Sequence, residues 1–158
     1  MIKDIKELFS VIPNYPGLNI ALLDGFGVKE EFISFCKSQE ATLYIKDFDN
    51  SLDKSLNSDF IKVEKFDFND KKYNLHSVLY DFVYLCCDIE GLPLDEVAKK
   101  FYRVIKNAGY LYLFAKDNDV QSTIKLLEET NFVSLNVIDS FKDTKVISAQ
   151  KMHGWMRV

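Results

Sequence analysis

Three carboxylates in the first half of the chain stand where apolar runs stop. Asp24 follows the run at 18–23, Asp47 follows the run at 41–45 with Lys46 between, and Asp67 follows the alternating stretch at 60–66. Each run reads as a strand. The three acids therefore fall near the carboxyl ends of three successive strands, where open α/β sheets bind ligands. Gly25 and Gly27 follow Asp24 with Phe26 between them, and such a turn lets the backbone come close to a ligand. A glycine turn also serves plain strand-to-helix folding, and Asp47 and Asp67 could equally be solvated acids. What points to a site is the occurrence of all three acids and the turn together, in order.

A fourth acid, Asp88, lies just past the apolar run at 80–87. It is placed to take a proton from a reacting group, or to cap a loop. Cys86 and Cys87 end that run, where a cysteine is usually a small buried hydrophobe or, at a strand end beside a site, part of the pocket lining. No histidine lies near them in sequence to activate a thiol. His76 and His153 are far apart and have no partners at metal-ligand spacing, so no metal site is expected.

The elements that must position these residues follow from hydrophobic period and turn signals. Strands are expected at 18–23, 41–45, 60–66, 80–87 and 110–115, and helices at 28–38, 94–105 and 120–129. Ile2, Ile5, Leu8, Phe9 and Ile12 have helical spacing and form a lead-in helix, stopped by Pro13 and Pro16. The polar stretch 49–57 is a turn or a short helix. The helix at 94–105 is expected to close at Asn107, Ala108 and Gly109, and the helix at 120–129 to be capped by Asp117 or Asn118. Two late strands, 133–138 and 145–150, can pair as an antiparallel hairpin across the loop at 140–144. Strands alternating with helices predict a three-layer, Rossmann-like α/β fold. Its sheet is mainly parallel with an antiparallel C-terminal strand. One domain spans 1–158: a lead-in at 1–17, a core at 18–152 and a tail at 153–158.

Composition sets limits. The 158 residues are 47% hydrophobic and 28% charged, which suits a globular domain with no disordered tract. The formal charge is −4, and Lys alternates with Asp and Glu along the chain, so direct nucleic-acid binding is not expected. No signal-peptide run opens the chain, and no window approaches the roughly 18 apolar residues of a membrane span. With three cysteines and no CxxC pair, the expectation is a reduced protein in the cytoplasm, not at a membrane. The 13 Phe and 8 Tyr lie within strand and helix patterns and read as core.

From residue 18 to 152 the pattern resembles the class I S-adenosylmethionine-dependent methyltransferases. Leu22-Leu23-Asp24-Gly25-Phe26-Gly27 is similar to the family's first motif, an acid at a strand end followed by a Gly-x-Gly turn. Asp47, 20 residues beyond Gly27, stands where the family has a carboxylate for the cofactor's ribose hydroxyls. Phe66-Asp67-Phe68 resembles the site for the adenine, with Asp67 on its amino group and Phe68 beside the ring. Tyr80-Asp81-Phe82-Val83 and the stretch from Phe101 to Gly109 resemble the start of the fourth strand and the close of the following helix. Two departures stand out: Asp24 touches Gly25 directly, so either the turn is one residue tighter or Asp24 is not the equivalent acid, and Val28, Lys29 and Glu30 follow Gly27 where a third small residue is common. Cys86-Cys87-Asp88-Ile89 does not match the Asn/Asp-Pro-Pro-aromatic motif of amino-methylating nucleic-acid enzymes.

The resemblance implies a methyltransferase of unknown acceptor that uses S-adenosylmethionine, held by Asp24, Gly25, Phe26, Gly27, Asp47, Asp67 and Phe68, with Cys86 lining the pocket and Asp88 as base. The core takes nearly the whole chain. The acceptor is then small, or a protein partner or second copy completes the site. The alternative is a non-catalytic protein of the same fold that serves as a binding or interaction module. A nicotinamide-dependent oxidoreductase would need a small residue where Glu30 stands.

Overall fold

Four consecutive apolar residues, Ile20 to Leu23, are too many for a strand with one wet face, and the structure leaves none of them exposed. The computed structural model describes residues 8–9, 12, 16–47, 58–65, 79–90, 92–141 and 144–151. Within them β1 (Asn19–Asp24) leads to α1 (Lys29–Gln39), β2 (Thr42–Asp47), β3 (Ile61–Lys65) and β4 (Tyr80–Cys86). Then come α2 (Leu94–Val104), β5 (Ile105–Lys116), α3 (Val120–Glu129), β6 (Phe132–Phe141) and β7 (Thr144–Lys151). The strands form one seven-stranded sheet of order β3-β2-β1-β4-β5-β7-β6, parallel except for β7, which is antiparallel to β5 and β6. This is the three-layer, mainly parallel architecture the alternation of elements predicts.

Helical spacing decides which helix covers which face. α1 buries Phe32 and Cys36, one turn apart, against Leu22, Leu43, Ile45 and Tyr84. α2 buries Val97, Ala98 and Phe101, and α3 buries Val120 and Leu127, all on the opposite face with Ala21, Leu23, Val83 and Leu85. Of the expected lead-in helix only Leu8, Phe9 and Ile12 are described. Leu8 and Ile12 are buried, and Phe9 stacks on Phe35 at 4.4 Å.

The chain runs outward from β1 through β2 to β3 and then returns to β4 on the other side of β1. Asp24 and Cys86 pair side by side at the carboxyl ends of β1 and β4, which makes the gap between these strands the switch point of the sheet. At the opposite end Asp81 accepts the Asn19 amide at 2.8 Å and pairs with Lys106 at 3.2 Å, tying β1, β4 and β5 together.

Two expectations need correction. The helix before β5 does not close at Asn107, Ala108 and Gly109: it stops at Val104, and Ile105 already pairs with Tyr80. Between this pair and the next, Phe82 with Tyr110, four residues of β5 face one of β4, so the expected helix end is a bulge inside the strand. Ala108 takes the left-handed conformation there (φ 69°), and Gly109 is needed for space: a Cβ on it would lie 2.8 Å from the Asp81 carbonyl oxygen. The second correction concerns α3. Asp117 to Asp119 form a 3-10 turn, and Asp119 holds the capping position without a capping hydrogen bond from its side chain. The expected turn or short helix at 49–57 lies outside the described residues.

Candidate functional site

The turn after β1 is closed on itself. Asp24 is the last residue of β1, and its carboxylate accepts the Gly27 amide at 2.8 Å, the Val28 amide at 2.9 Å and the Lys29 amide at 3.0 Å. It thus serves the start of α1, a position rich in unpaired amides, where Val28 supplies no side-chain cap. The two preceding amides, of Gly25 and Phe26, both donate to the Cys86 carbonyl at 2.8 and 3.0 Å. Five consecutive N–H groups, from Gly25 to Lys29, therefore have acceptors within the chain.

The two glycines do different work. A Cβ on Gly25 would stand 2.7 Å from the Cβ of Cys87, so this residue lets the turn press on the end of β4. Gly27 has φ 77°, and among the described residues a Cβ there would meet nothing within 4 Å. Toward those residues its side of the turn is open. Phe26 packs against the core on the α1 face: its half-buried ring meets Phe114 of β5 edge-to-face, with centroids 5.6 Å apart.

Cys86 lies in the core on the α1 face, and its thiol is raised well above the ordinary range by burial first, then by the Asp24 charge. Burial, with the charges of Asp88 and Asp24, pushes the Cys87 thiol up to about 12. Both are protonated near neutral pH and unsuited to nucleophilic attack. Asp88 is exposed on the loop after β4, and its Oδ1 accepts the Glu90 amide at 3.0 Å. Across the rim Lys116, at the end of β5, pairs with Glu90 at 3.2 Å.

Of the residues singled out by sequence, Asp24, Gly25, Phe26, Gly27, Cys86 and Asp88 gather at the carboxyl ends of β1 and β4. Asp47 ends β2, the neighbour of β1, though its side chain lies outside the described residues, as do Asp67 and Phe68. Sequence reasoning missed Phe114, Cys87 as the reason for Gly25, and the Lys116–Glu90 pair. Each depends on two strands that are distant in sequence.

The donor set discriminates between ligands. With the turn's amides already taken, no anion-binding cradle of the kind that holds phosphates is available there. A carboxylate has about four lone-pair sites, and three of Asp24's are used, which leaves an acceptor for a cationic group. Among the described residues no three His, Cys, Asp or Glu side chains are grouped to hold a metal, and no helix is long and apolar enough to cross a membrane.

No protein-family model and no curated protein matches the sequence. Solved structures do. An S-adenosylmethionine-dependent methyltransferase from Mesorhizobium loti is similar over 92% of this chain and 96% of its own, at 12% identity and a TM-score of 0.70. The complex of the Haloferax volcanii Trm112 methyltransferase activator with a protein described as a methyltransferase matches 94% of this chain and 88% of the other, at 11% identity and a TM-score of 0.72. Haemonchus contortus phosphoethanolamine N-methyltransferase 2, solved with S-adenosyl-L-methionine, matches 92% of this chain and 51% of its own, at 11% identity and a TM-score of 0.68. At such identities the likeness establishes the fold: this chain has the Rossmann-like fold of the S-adenosylmethionine-dependent methyltransferases.

Proposed function

We propose that the protein is an S-adenosylmethionine-dependent methyltransferase whose cofactor lies across the carboxyl ends of β2, β1 and β4. The observation that carries this reading is the turn from Asp24 to Gly27 at the switch point, closed to anions, held by a carboxylate and, among the described residues, open beside Gly27. The sulfonium and ammonium of S-adenosylmethionine suit such a carboxylate-held turn, with the α-carboxylate of its methionine portion directed away from the turn, whereas a dinucleotide pyrophosphate needs free amides that the turn does not offer. Asp24, Gly25, Phe26 and Gly27 hold the methionine portion, Asp47 the ribose, and Asp67 and Phe68 the adenine. Cys86 contributes through its carbonyl, which anchors the turn.

When bound, the cofactor supplies an already activated methyl group. The chain's own part is to align the reactants and exclude water. Asp88, on the rim past β4, takes the proton of an acceptor that must lose one. The acceptor is a small molecule, or a protein partner completes its site. The second option is supported by the activator bound to the Haloferax volcanii structure. A cytoplasmic location is supported by three free, buried cysteines.

Titration calorimetry with S-adenosylmethionine and S-adenosylhomocysteine tests the reading. Saturable binding that is lost in Asp47→Ala and in Asp67→Ala is the expected result. Folded protein that gives no heat at millimolar ligand overturns it. The fully satisfied turn then speaks for the second reading, a non-catalytic interaction module, because such a turn is complete without a ligand. Once an acceptor is known, unchanged methyl transfer in Asp88→Asn removes that residue from the mechanism.

A further inference from the structure

The two edges of the sheet are built differently. On β3, the outer strand at one end, Lys62 and Glu64 are exposed, the kind of charged guard that keeps an edge from pairing with another chain. On β6, the outer strand at the other end, residues Phe132 to Ile138 carry no charge and include no proline. β6 is ten residues long, and among the described residues it pairs with β7 alone. Two irregularities bound its middle. One extra residue is inserted between Val133 and Asn136, where Ser134 has φ 53° and its carbonyl accepts the Asn136 side-chain amide at 3.1 Å. Another is inserted between Ile138 and Phe141. Asn136, Val137 and Ile138 remain in unbroken register with Ser148, Ile147 and Val146.

Val137, the midpoint of that regular segment, is 43% exposed, the one large hydrophobic side chain so exposed among the described residues. Directly opposite residues share a sheet face, and its neighbour Ile147 is wholly buried with the α2 and α3 side chains. The cover over Ile147 stops short of Val137. We propose that this segment is the contact surface for a second copy of the chain, which pairs β6 with β6 antiparallel about a two-fold axis at Val137. A second copy fits because the segment is neutral and its exposed valine is central. The axis sets the two Val137 side chains against each other and each Asn136 against an Ile138, so no complementary charge is needed. So short a ladder makes a weak, reversible dimer. β6 lies four strands from β1, so this inference does not depend on the cofactor reading.

Sedimentation velocity over a concentration series tests this on the wild type, Val137→Lys, Val137→Glu and an equal mixture of the two variants. The wild type is expected to dimerise reversibly by about 0.5 mM chain, as suits a small interface. Each charged variant should weaken association about tenfold or more, because like charges meet at the axis, and the mixture should recover it. A wild type that stays monomeric overturns the proposal. So does a dimer that the charged variants leave intact, or a mixture no better associated than its two components. Circular dichroism checks that the variants fold. If either does not, hydrogen exchange in the wild type decides: the amides from Asn136 to Ile138 should exchange more slowly as concentration rises. Exchange there that is independent of concentration overturns the proposal.

Discussion

At the scale of single residues, Asp24 is foremost a structural acid. Its three hydrogen bonds hold the start of α1 to the end of β1. Asp24→Ala should lower stability by about 1–3 kcal/mol, the cost of leaving amides without their charged acceptor. Asp24→Asn, which keeps one carbonyl oxygen, should lose less. Urea unfolding measures both, and an alanine variant within roughly 0.5 kcal/mol of the wild type would show that water replaces the carboxylate. That an acid and two glycines sit at a strand end was legible in the sequence. The destination of the acid's oxygens was not, because nothing local distinguishes a carboxylate that binds a ligand from one that binds three amides a few residues further along its own chain. The reason for Gly25 was equally hidden, since Cys87 comes to it only through the pairing of β1 with β4.

At the scale of elements, the alternation of period-2 and period-3.6 patterns located every described α-helix, and every described strand to within a few residues, except at the junction of α2 and β5, and it missed the 3-10 turn at Asp117 to Asp119. There a glycine after a helical pattern reads as a helix end, yet Ile105 is already drawn into the sheet by Tyr80. Local propensity lost to a long-range pair. The consequence is a contrast between two neighbours. Gly109→Ala puts a Cβ 2.7 Å from the Ile105 side chain, 2.8 Å from the Asp81 carbonyl oxygen and 2.9 Å from that of Lys106. Such overpacking against backbone should cost about 1–3 kcal/mol or more. Ala108→Gly, at φ 69°, should instead be neutral or stabilising by up to about 1 kcal/mol, since only glycine adopts that conformation without penalty. Thermal melts of the two variants should shift apart, and a Gly109→Ala protein as stable as the wild type would mean that the bulge can open.

At the scale of the whole molecule, one sheet is sealed by apolar and aromatic packing on both faces, and ionisable groups are sealed in with it. Burial pushes the thiols of Cys36 and Cys87 and, aided by Tyr110, the hydroxyl of Tyr112 up to about 12. Burial is also the main force holding Tyr84 and Cys86 well above their usual range. The unfolded chain releases these protons first, from about pH 9 for the thiols. The folded state then binds more protons than the unfolded one, so stability is full below pH 9 and falls as pH rises toward 12. Each such group contributes a slope of about 1.4 kcal/mol per pH unit in that window. Melting temperatures from pH 8 to 11 should show the decline, and Cys36→Ala should weaken its pH dependence even if the variant is less stable throughout. The same sealing bears on how a ligand is received. The turn from Gly25 to Lys29 is ordered by acceptors that belong to the fold itself, so its conformational entropy is lost when the chain folds and not when a ligand arrives. Binding at this turn begins from a preorganised surface, and the contacts made there carry little ordering penalty from Gly25 to Lys29.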